Sequence, residues 1–174
     1  IWMGTYRGGF CKFDGVQFKH YMFDNKQFNS NVNKVKFDPV HNKLWVAFQK
    51  EFFASMANDT LSLFICPQPY ENRFKDIDLD TKGNAYISTL SNGFFKFDGK
   101  TFTFFDTDVG LSGKDVAALK VLSNGSVLLG TRGSGMNIYN PYSFSHFTEK
   151  QGLNNALVWN ILQDKTGIFW LGTE

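Results

Sequence analysis

The chain has 174 residues, of which 43% are hydrophobic and 20% charged, and 18 basic and 16 acidic side chains give a formal net charge of +2. This hydrophobic share is enough for a packed core and excludes general disorder, and the length fits a single domain. The charges are scattered rather than gathered into a basic stripe, and no apolar run approaches the roughly 18 residues of a membrane span. Nucleic-acid binding and direct membrane contact are therefore not expected in this region.

Short extended segments alternate with turns along the chain. The 20 phenylalanines favour pleated, half-buried strands. Asp14-Gly15 and Asp98-Gly99 lie between alternating apolar residues and predict tight hairpins, since glycine readily adopts a positive φ. Residues 114–122 fall where the other units carry a strand, so a strand rather than a helix is predicted there. Further strands are expected, in chain order, at 32–37, 43–48, 93–98 and 101–105.

A repeat of about 42 residues organises the sequence. Trp2-Met3-Gly4-Thr5 returns four times, at spacings of 43, 41, 42 and 42 residues. The recurrences are Trp45-Val46-Ala47-Phe48, Tyr86-Ile87-Ser88-Thr89, Leu128-Leu129-Gly130-Thr131 and Trp170-Leu171-Gly172-Thr173. Apolar columns such as Val32, Phe74, Val116 and Val158 keep the same register. Four short strands in a unit of this length are typical of a β-propeller blade.

The predicted fold is therefore all-β, a propeller built from four-stranded antiparallel blades. Residues 1–174 are predicted to form one partial propeller domain of about four blades, with repeats at about 1–43, 44–84, 85–126 and 127–168 and the next one starting at 169–174. The small residue in the third position of each W-x-G-T strand would let the neighbouring blade approach closely. Because the chain starts and ends inside a repeat, we expect a fragment of a larger ring; a closed four-bladed ring and a pair of half-rings are the alternatives.

The repeat is defined by a residue pattern as well as by its length, and this pattern is the more specific feature. Its consensus, W-[IVLM]-G-T-x-x-x-G-[FLM]-x-x-[FY]-[DN], resembles the two-component regulator propeller repeat. The matching stretches are Trp2 to Gly15, Tyr86 to Gly99 and Leu128 to Tyr139, and Gly152 to Trp170 is similar to the family's linker block. The pattern weakens in the second unit, where residues 49–58 lack the G-[FL] step.

The resemblance implies a setting for the chain. Proteins with this repeat are typically hybrid sensor histidine kinases of Bacteroidetes, whose seven-bladed propellers lie outside the inner membrane, ahead of a membrane helix and a cytoplasmic kinase. The resemblance thus implies a periplasmic sensor region, commonly for glycans, belonging to a parent protein whose kinase lies elsewhere.

The sequence offers little for catalysis or metal binding. His20, His41 and His146 lie in three different repeats and are interpreted as surface residues, and no metal-ligand spacing occurs. Cys11 and Cys66 are interpreted as two buried free thiols rather than one disulfide. The recurrent turn aspartates, such as Asp38 and Asp164, are expected to bond their own backbone. No catalytic residue, metal or cofactor is predicted.

Candidate binding residues come from the loops at one end of the blades, which vary between repeats while the framework stays constant. These loops lie at about 6–8, 49–51, 90–92 and 132–134, and at 24–31, 67–73, 106–115 and 149–157. Arginine suits carboxylate or sulfate groups, asparagine suits hydroxyls, and aromatic rings can stack on a sugar. The residues singled out are Tyr6, Arg7, Arg73, Arg132, Asn154, Asn155 and Trp159. Packing between blades is the alternative role for Trp159, and a salt link between blades is the alternative for Arg7 and Arg132.

The predicted function is non-catalytic, extracytoplasmic ligand recognition, with an oligosaccharide as the expected ligand. The expected protein contacts are neighbouring blades or domains of the same parent protein. The alternatives are a scaffold propeller that binds proteins or forms a homodimer and, less favoured, a propeller lyase or glycosidase, which would require converging carboxylates.

Overall fold

A computed structural model describes residues 1–22, 31–50, 52–67 and 73–174. Within these residues the chain forms five antiparallel sheets, each built from strands that are consecutive in sequence. We call these sheets the first to fifth blades in chain order. The second, third and fourth have four strands each, as propeller blades do, whereas the first has three and the fifth has two.

The strands are short and joined by tight connections. The first blade contains β1 (Trp2–Gly4), β2 (Phe10–Phe13) and β3 (Phe18–Tyr21). The second contains β4 (Val32–Asp38), β5 (Lys43–Phe48), β6 (Phe52–Ala57) and β7 (Thr60–Ile65). The third contains β8 (Phe74–Leu79), β9 (Ala85–Thr89), β10 (Phe94–Phe97) and β11 (Phe102–Phe105). The fourth contains β12 (Val116–Val121), β13 (Val127–Thr131), β14 (Met136–Asn140) and β15 (Ser143–Phe147), and the fifth contains β16 (Val158–Gln163) and β17 (Phe169–Thr173). Two single 3-10 turns, Thr107–Val109 and Glu149–Gln151, precede β12 and β16.

The predicted turn chemistry is present. Asp98 accepts hydrogen bonds from the backbone amides of Lys100 and Thr101, both at 2.8 Å, and so closes the β10–β11 hairpin. Asp14 does the same in the first blade, accepting from two amides two and three residues further along. The strand expected within 114–122 is confirmed as β12.

Neighbouring blades contact each other through their first strands. We call β4, β8, β12 and β16 the inner strands because each packs directly against the next. The small residues at the third position of the W-x-G-T strands allow this close approach. A Cβ atom on Gly130 would lie 2.7 Å from Val158 Cγ1, at the start of the next inner strand, and a Cβ on Gly4 would stand in the same relation to Val32.

The core lies between blades rather than inside one sheet. One face of the second blade, including Trp45 and Phe53, packs on Ile87 and Phe95 of the third. Its other face packs on Phe10 of the first blade. Each four-stranded sheet therefore buries an apolar surface on both sides, as stacked repeats require.

A buried carboxylate links the inner strands of three blades. Asp78 on β8 is 4% exposed and accepts from Lys36 Nζ of β4 at 2.6 Å and from Lys120 Nζ of β12 at 3.0 Å. Its Oδ2 atom also accepts from the backbone amide of Val121 at 3.0 Å. Burial alone raises the pKa of Asp78, but the hydrogen bonds and charges of Lys36 and Lys120 outweigh it and hold that pKa below its usual value. One side chain thus ties three successive blades together.

The two cysteines, Cys11 and Cys66, are buried free thiols, which confirms the interpretation from the sequence. None of the helices in the described ranges is long and apolar enough to cross a membrane.

Candidate ligand-binding face

The inner strands all start at the same end of the blades, at Val32, Phe74, Val116 and Val158. We call this end the entry face and the other end, where the inner strands finish, the opposite face. Loops from two blades interlock on the entry face. The amide of Gly93 donates to the carbonyl of Lys114 in the next blade at 2.8 Å, and Gly135 donates to Ala156 at 2.9 Å. The loops there are therefore held by backbone hydrogen bonds.

An irregularity in each inner strand shapes this face. The register between the first and second strands shifts after Val32, Phe74, Val116 and Val158. A bulge of this kind re-aims a side chain and recurs next to functional sites. In the fifth blade the residue in the bulge is Trp159, whose side chain is 42% exposed.

Arg132 and Trp159 meet on the entry face although they belong to different blades. The Arg132 guanidinium carbon lies 4.9 Å from the centroid of the Trp159 ring, a cation–π distance. The backbone of Arg132 pairs with Leu157, which brings the arginine alongside the start of β16. Asn155 holds the same loop, because its Oδ1 atom accepts from the Leu157 amide at 2.8 Å. Three of the predicted site residues therefore converge here.

Asp115 completes this cluster. Its Oδ2 atom lies 3.4 Å from Arg132 Nη1, and its backbone carbonyl accepts from the Arg132 amide at 2.9 Å. Its Oδ1 atom is buried and has no hydrogen-bond partner in the described part of the chain. Burial raises the pKa of Asp115, while the charges of Arg132 and Lys75 oppose that rise. We call Asp115, Arg132, Asn155 and Trp159 the entry cluster. It combines a cation, an aromatic face, an amide and an unpaired acceptor.

The other predicted residues make their contacts outside the entry cluster. Tyr6 and Arg7 form their own pair, with the Arg7 guanidinium carbon 5.2 Å from the Tyr6 ring centroid. The carbonyl of Arg73 accepts from the amide of Leu90 at 3.1 Å, and its side chain is exposed. Asn154 lines a groove of about 240 Å³ with Trp170 and other residues of the fifth blade. Among the candidate loops, residues 24–30, 51 and 68–72 lie outside the described residues.

Arg7 is unusual in its backbone. Its φ is 64°, in the left-handed region, where the equivalent residue of the fourth blade is Gly133. Its amide donates to Asn31 Oδ1 at 2.7 Å, and this bond holds the conformation. A bulky residue in this region costs free energy.

Sequence reasoning did not place Asp115 among the binding residues. In the sequence Asp115 is one of several loop carboxylates, and its pairing with Arg132 depends on which loops meet at the entry face. The signal that the sequence does carry is the position before the inner strand, where Asn31, Arg73, Asp115 and Leu157 form a column of changing residues. Within the described residues no group of three or more His, Cys, Asp and Glu side chains could hold a metal ion.

Known proteins with similar features identify the repeat and the fold. Residues 152–174 match the model of the family described as two component regulator propeller. The structure resembles the extracellular domain of a putative hybrid two component system from B. thetaiotaomicron, with a TM-score of 0.79 and 22% identity over 97% of this chain and 25% of that one. A second B. thetaiotaomicron domain, from a putative one component system, gives a TM-score of 0.78 and 18% identity over 99% of this chain and 24% of that one.

Enzymes share the same fold. Virginiamycin B lyase from Staphylococcus aureus gives a TM-score of 0.76 at 10% identity, over 93% of this chain and 55% of the lyase. No curated protein sequence matches the chain. The chain spans about a quarter of the length of the two B. thetaiotaomicron domains. Residues 152–174 are thus a two component regulator propeller repeat, and the described part of the chain has the β-propeller fold that these extracellular domains share.

Proposed function

We propose that this chain is part of an extracytoplasmic sensing propeller of a two-component regulator and that its entry face recognises a glycan without catalysis. The setting rests on the repeat at residues 152–174 and on the likeness to extracellular domains of two component systems. In this proposal the chain lies in the periplasm as part of an inner-membrane histidine kinase.

The observation that carries the proposal is the entry cluster. Trp159 is half-exposed, and its indole offers a flat apolar surface of the kind on which sugar rings stack. The Arg132 guanidinium next to it can donate two parallel hydrogen bonds to a carboxylate, a sulfate or neighbouring hydroxyls. The Asp115 side chain is 33% exposed, and its carboxylate offers an acceptor to a ligand hydroxyl. Together these groups match a polyhydroxylated ligand with an acidic substituent better than an apolar one.

The cluster is also held rigidly, as recognition requires. Arg132, Asp115 and Leu157 are fixed by backbone hydrogen bonds rather than by side chains alone. A site whose groups are already in place loses little conformational freedom on binding. The other predicted residues, Tyr6, Arg7, Arg73 and Asn154, would then act as secondary contacts at the same end of neighbouring blades or serve packing.

The test is a calorimetric titration of the purified protein against a panel of neutral and acidic oligosaccharides. We expect saturable binding, and we expect Arg132→Ala and Trp159→Ala each to raise Kd about tenfold or more, the cost of one charge-assisted hydrogen bond or one stacked ring. Tyr142→Ala is the matched control, because Tyr142 is 96% exposed and lies on the β14–β15 hairpin of the opposite face.

Two results would overturn the proposal. Folded protein that binds no member of the panel would favour a scaffold that contacts proteins or a second copy of itself. Turnover of a bound oligosaccharide would favour the lyase or glycosidase alternative, whose fold is shared at 10% identity.

A further inference from the structure

A polar cavity lies on the opposite face, between the second and third blades. Its volume is about 290 Å³, close to the lower size of pockets that hold small ligands. The β4–β5 turn and the face of β5 line it on one side, and the turn at Lys82-Gly83 and the hairpin at Asp98-Gly99 line it on the other. It is separated from the entry cluster by the full length of an inner strand.

The cavity contains an indole N–H that has no partner. Trp45 is 3% exposed and lines the cavity, and its Nε1 atom is buried without a hydrogen bond in the described part of the chain. Buried donors are nearly always paired, so an unpaired one calls for a physical explanation.

Comparison with the fifth blade supplies that explanation. There Trp170 is the equivalent tryptophan, and its Nε1 atom donates to Asp164 Oδ2, on the turn after the inner strand, at 2.8 Å. In the second blade the equivalent aspartate is Asp38, but its Oδ2 atom is already bonded to His41 Nδ1 at 2.7 Å. The turn is one residue longer, with seven positions from Asp38 to Trp45 against six from Asp164 to Trp170. The inserted turn and its histidine therefore remove the partner that this tryptophan has elsewhere in the repeat.

The other polar groups of the cavity are two carboxylates, two lysines, His41 and the hydroxyl groups of Ser55 and Ser62. Asp38 Oδ1 accepts from the amides of Val40 and His41, and both oxygens of Asp98 accept from Thr101. Both carboxylates thus bond to their own turns, but they keep their negative charges, which balance the charges of two lysines in the same lining. In contrast, Lys43 and Lys82 form no ion pair with any described carboxylate.

Lys43 is placed above the tryptophan. Its Nζ atom lies 5.4 Å from the centroid of the Trp45 ring, so its charge lies over the indole, and both residues line the cavity. The ring of His41 packs on the third blade, since a Cβ atom on Gly83 would lie 2.8 Å from His41 Cε1. The cavity therefore lies between two blades, and the groups in it without an ion pair or hydrogen bond among the described residues include two ammonium groups and the indole N–H.

We propose that this cavity binds a small organic oxyanion, a carboxylate or sulfate carried by a molecule of about monosaccharide size. One oxygen of the anion accepts from Trp45 Nε1, and the ammonium groups of Lys43 and Lys82 donate to the anion and offset its repulsion by Asp38 and Asp98. Because Trp45 and Lys43 belong to the second blade and Lys82 to the third, the bound anion bridges the two blades. This site is independent of the glycan site proposed on the entry face.

The test uses the indole N–H resonances of the ¹⁵N-labelled protein, since the chain has 4 tryptophans and each gives one signal. Trp45→Phe and Trp170→Phe assign two of these signals. We expect titration with glucuronate to shift the Trp45 signal saturably, sulfate to shift it in the same direction, and glucose to leave it unmoved.

Matched variants separate the site from a general effect of charge. Lys43→Gln combined with Lys82→Gln should raise the Kd for glucuronate at least about tenfold, because two charge-assisted contacts are lost. Lys165→Gln removes one charge from an exposed turn of the fifth blade and should change nothing. The lysine variants keep the proposal testable if Trp45→Phe does not fold, because both lysines lie at the surface end of the cavity.

Three results would overturn the proposal. These are a Trp45 signal that stays fixed with both anions, a Trp45 signal that moves equally with glucose, and lysine variants that bind as tightly as the original protein. Loss of binding on the entry face through Arg132→Ala would leave this test unaffected, so the two proposals fail separately.

Discussion

The substitution Asp78→Asn should destabilise the protein far more than its small change in shape suggests. Asn keeps the volume of the side chain but removes the charge that Lys36 and Lys120 share at 2.6 and 3.0 Å. Removing one partner of a buried ion pair costs about 3–5 kcal/mol, because the remaining charges lose their compensation. The lysine side chains are 35% and 28% exposed and can turn to water, so we take the lower end, about 3 kcal/mol.

This free energy corresponds to a measurable shift in thermal stability. For a chain of this length, 1 kcal/mol moves the unfolding midpoint by about 2–4 °C, so a fall of about 6–12 °C is expected at pH 7. Thermal unfolding followed by circular dichroism measures it. Asp59→Asn is the matched control, since Asp59 also bonds a lysine and a second donor, at 2.9 and 2.8 Å, but is exposed. Exposed pairs contribute little, so its midpoint should hardly move.

The pH dependence of the difference provides a second check. The pKa of Asp78 is held below the ordinary 3.8 in the folded protein, so its stabilisation is fully present above that value and is lost as the pH falls through the folded pKa. The gap between the original protein and Asp78→Asn should therefore be constant from pH 7 to about 5 and close at more acidic pH. A gap no larger than that of Asp59→Asn, or one that persists in acid, would refute the role given to the buried charge.

Three further substitutions test other contacts. Gly130→Ala should lower the free energy of unfolding by about 1–3 kcal/mol, because its Cβ would lie 2.7 Å from Val158 on the next inner strand. Gly172→Ala, in the same column, has its nearest contact at 3.5 Å and should lower the stability little. Melting curves of the two variants compare these effects. Arg7→Gly should raise the stability by up to about 1 kcal/mol, since it relieves a φ of 64° at a non-glycine residue, and a lower melting temperature would contradict this. Trp170→Phe should raise the pKa of Asp164 from about 2 only part of the way to 3.8, because the Thr166 hydrogen bond that contributes most remains; an NMR titration of the carboxyl carbon measures it.

The architecture could be predicted because the repeat expresses contacts that every blade makes. Gly4 and Gly130 are small because the next inner strand crosses directly over them, and this need recurs at each turn of the ring. Asp14 and Asp98 recur because each hairpin needs an acceptor for its own amides. Both are local or nearest-blade requirements, so they leave the same residue type at the same register position.

The candidate site could be predicted only in part, because it depends on how loops of different blades meet. Arg132 and Trp159 were both singled out for their chemistry, but their 4.9 Å approach follows from the bulge in β16 and from the pairing of Arg132 with Leu157. Asp115 was overlooked as a binding residue for the same reason. Its unpaired oxygen is a property of the assembled loops and has no counterpart in the spacing of the sequence.

The differences between blades are therefore more informative about function than the features that the blades share. The hydrogen bond from Trp170 to Asp164 shows what the framework does with a tryptophan at this position when nothing else is required. Trp45 keeps the same place in its blade but has no acceptor among the described residues, because His41, on a turn one residue longer, is bonded to the aspartate. Of these two copies, only the second blade lacks the stabilising hydrogen bond, and it lacks it at the wall of a cavity lined by Lys43 and Lys82. The missing bond costs free energy that folding alone does not require. A bound acceptor would offset that cost, which is why the same comparison between copies that defines the fold also points to the second site.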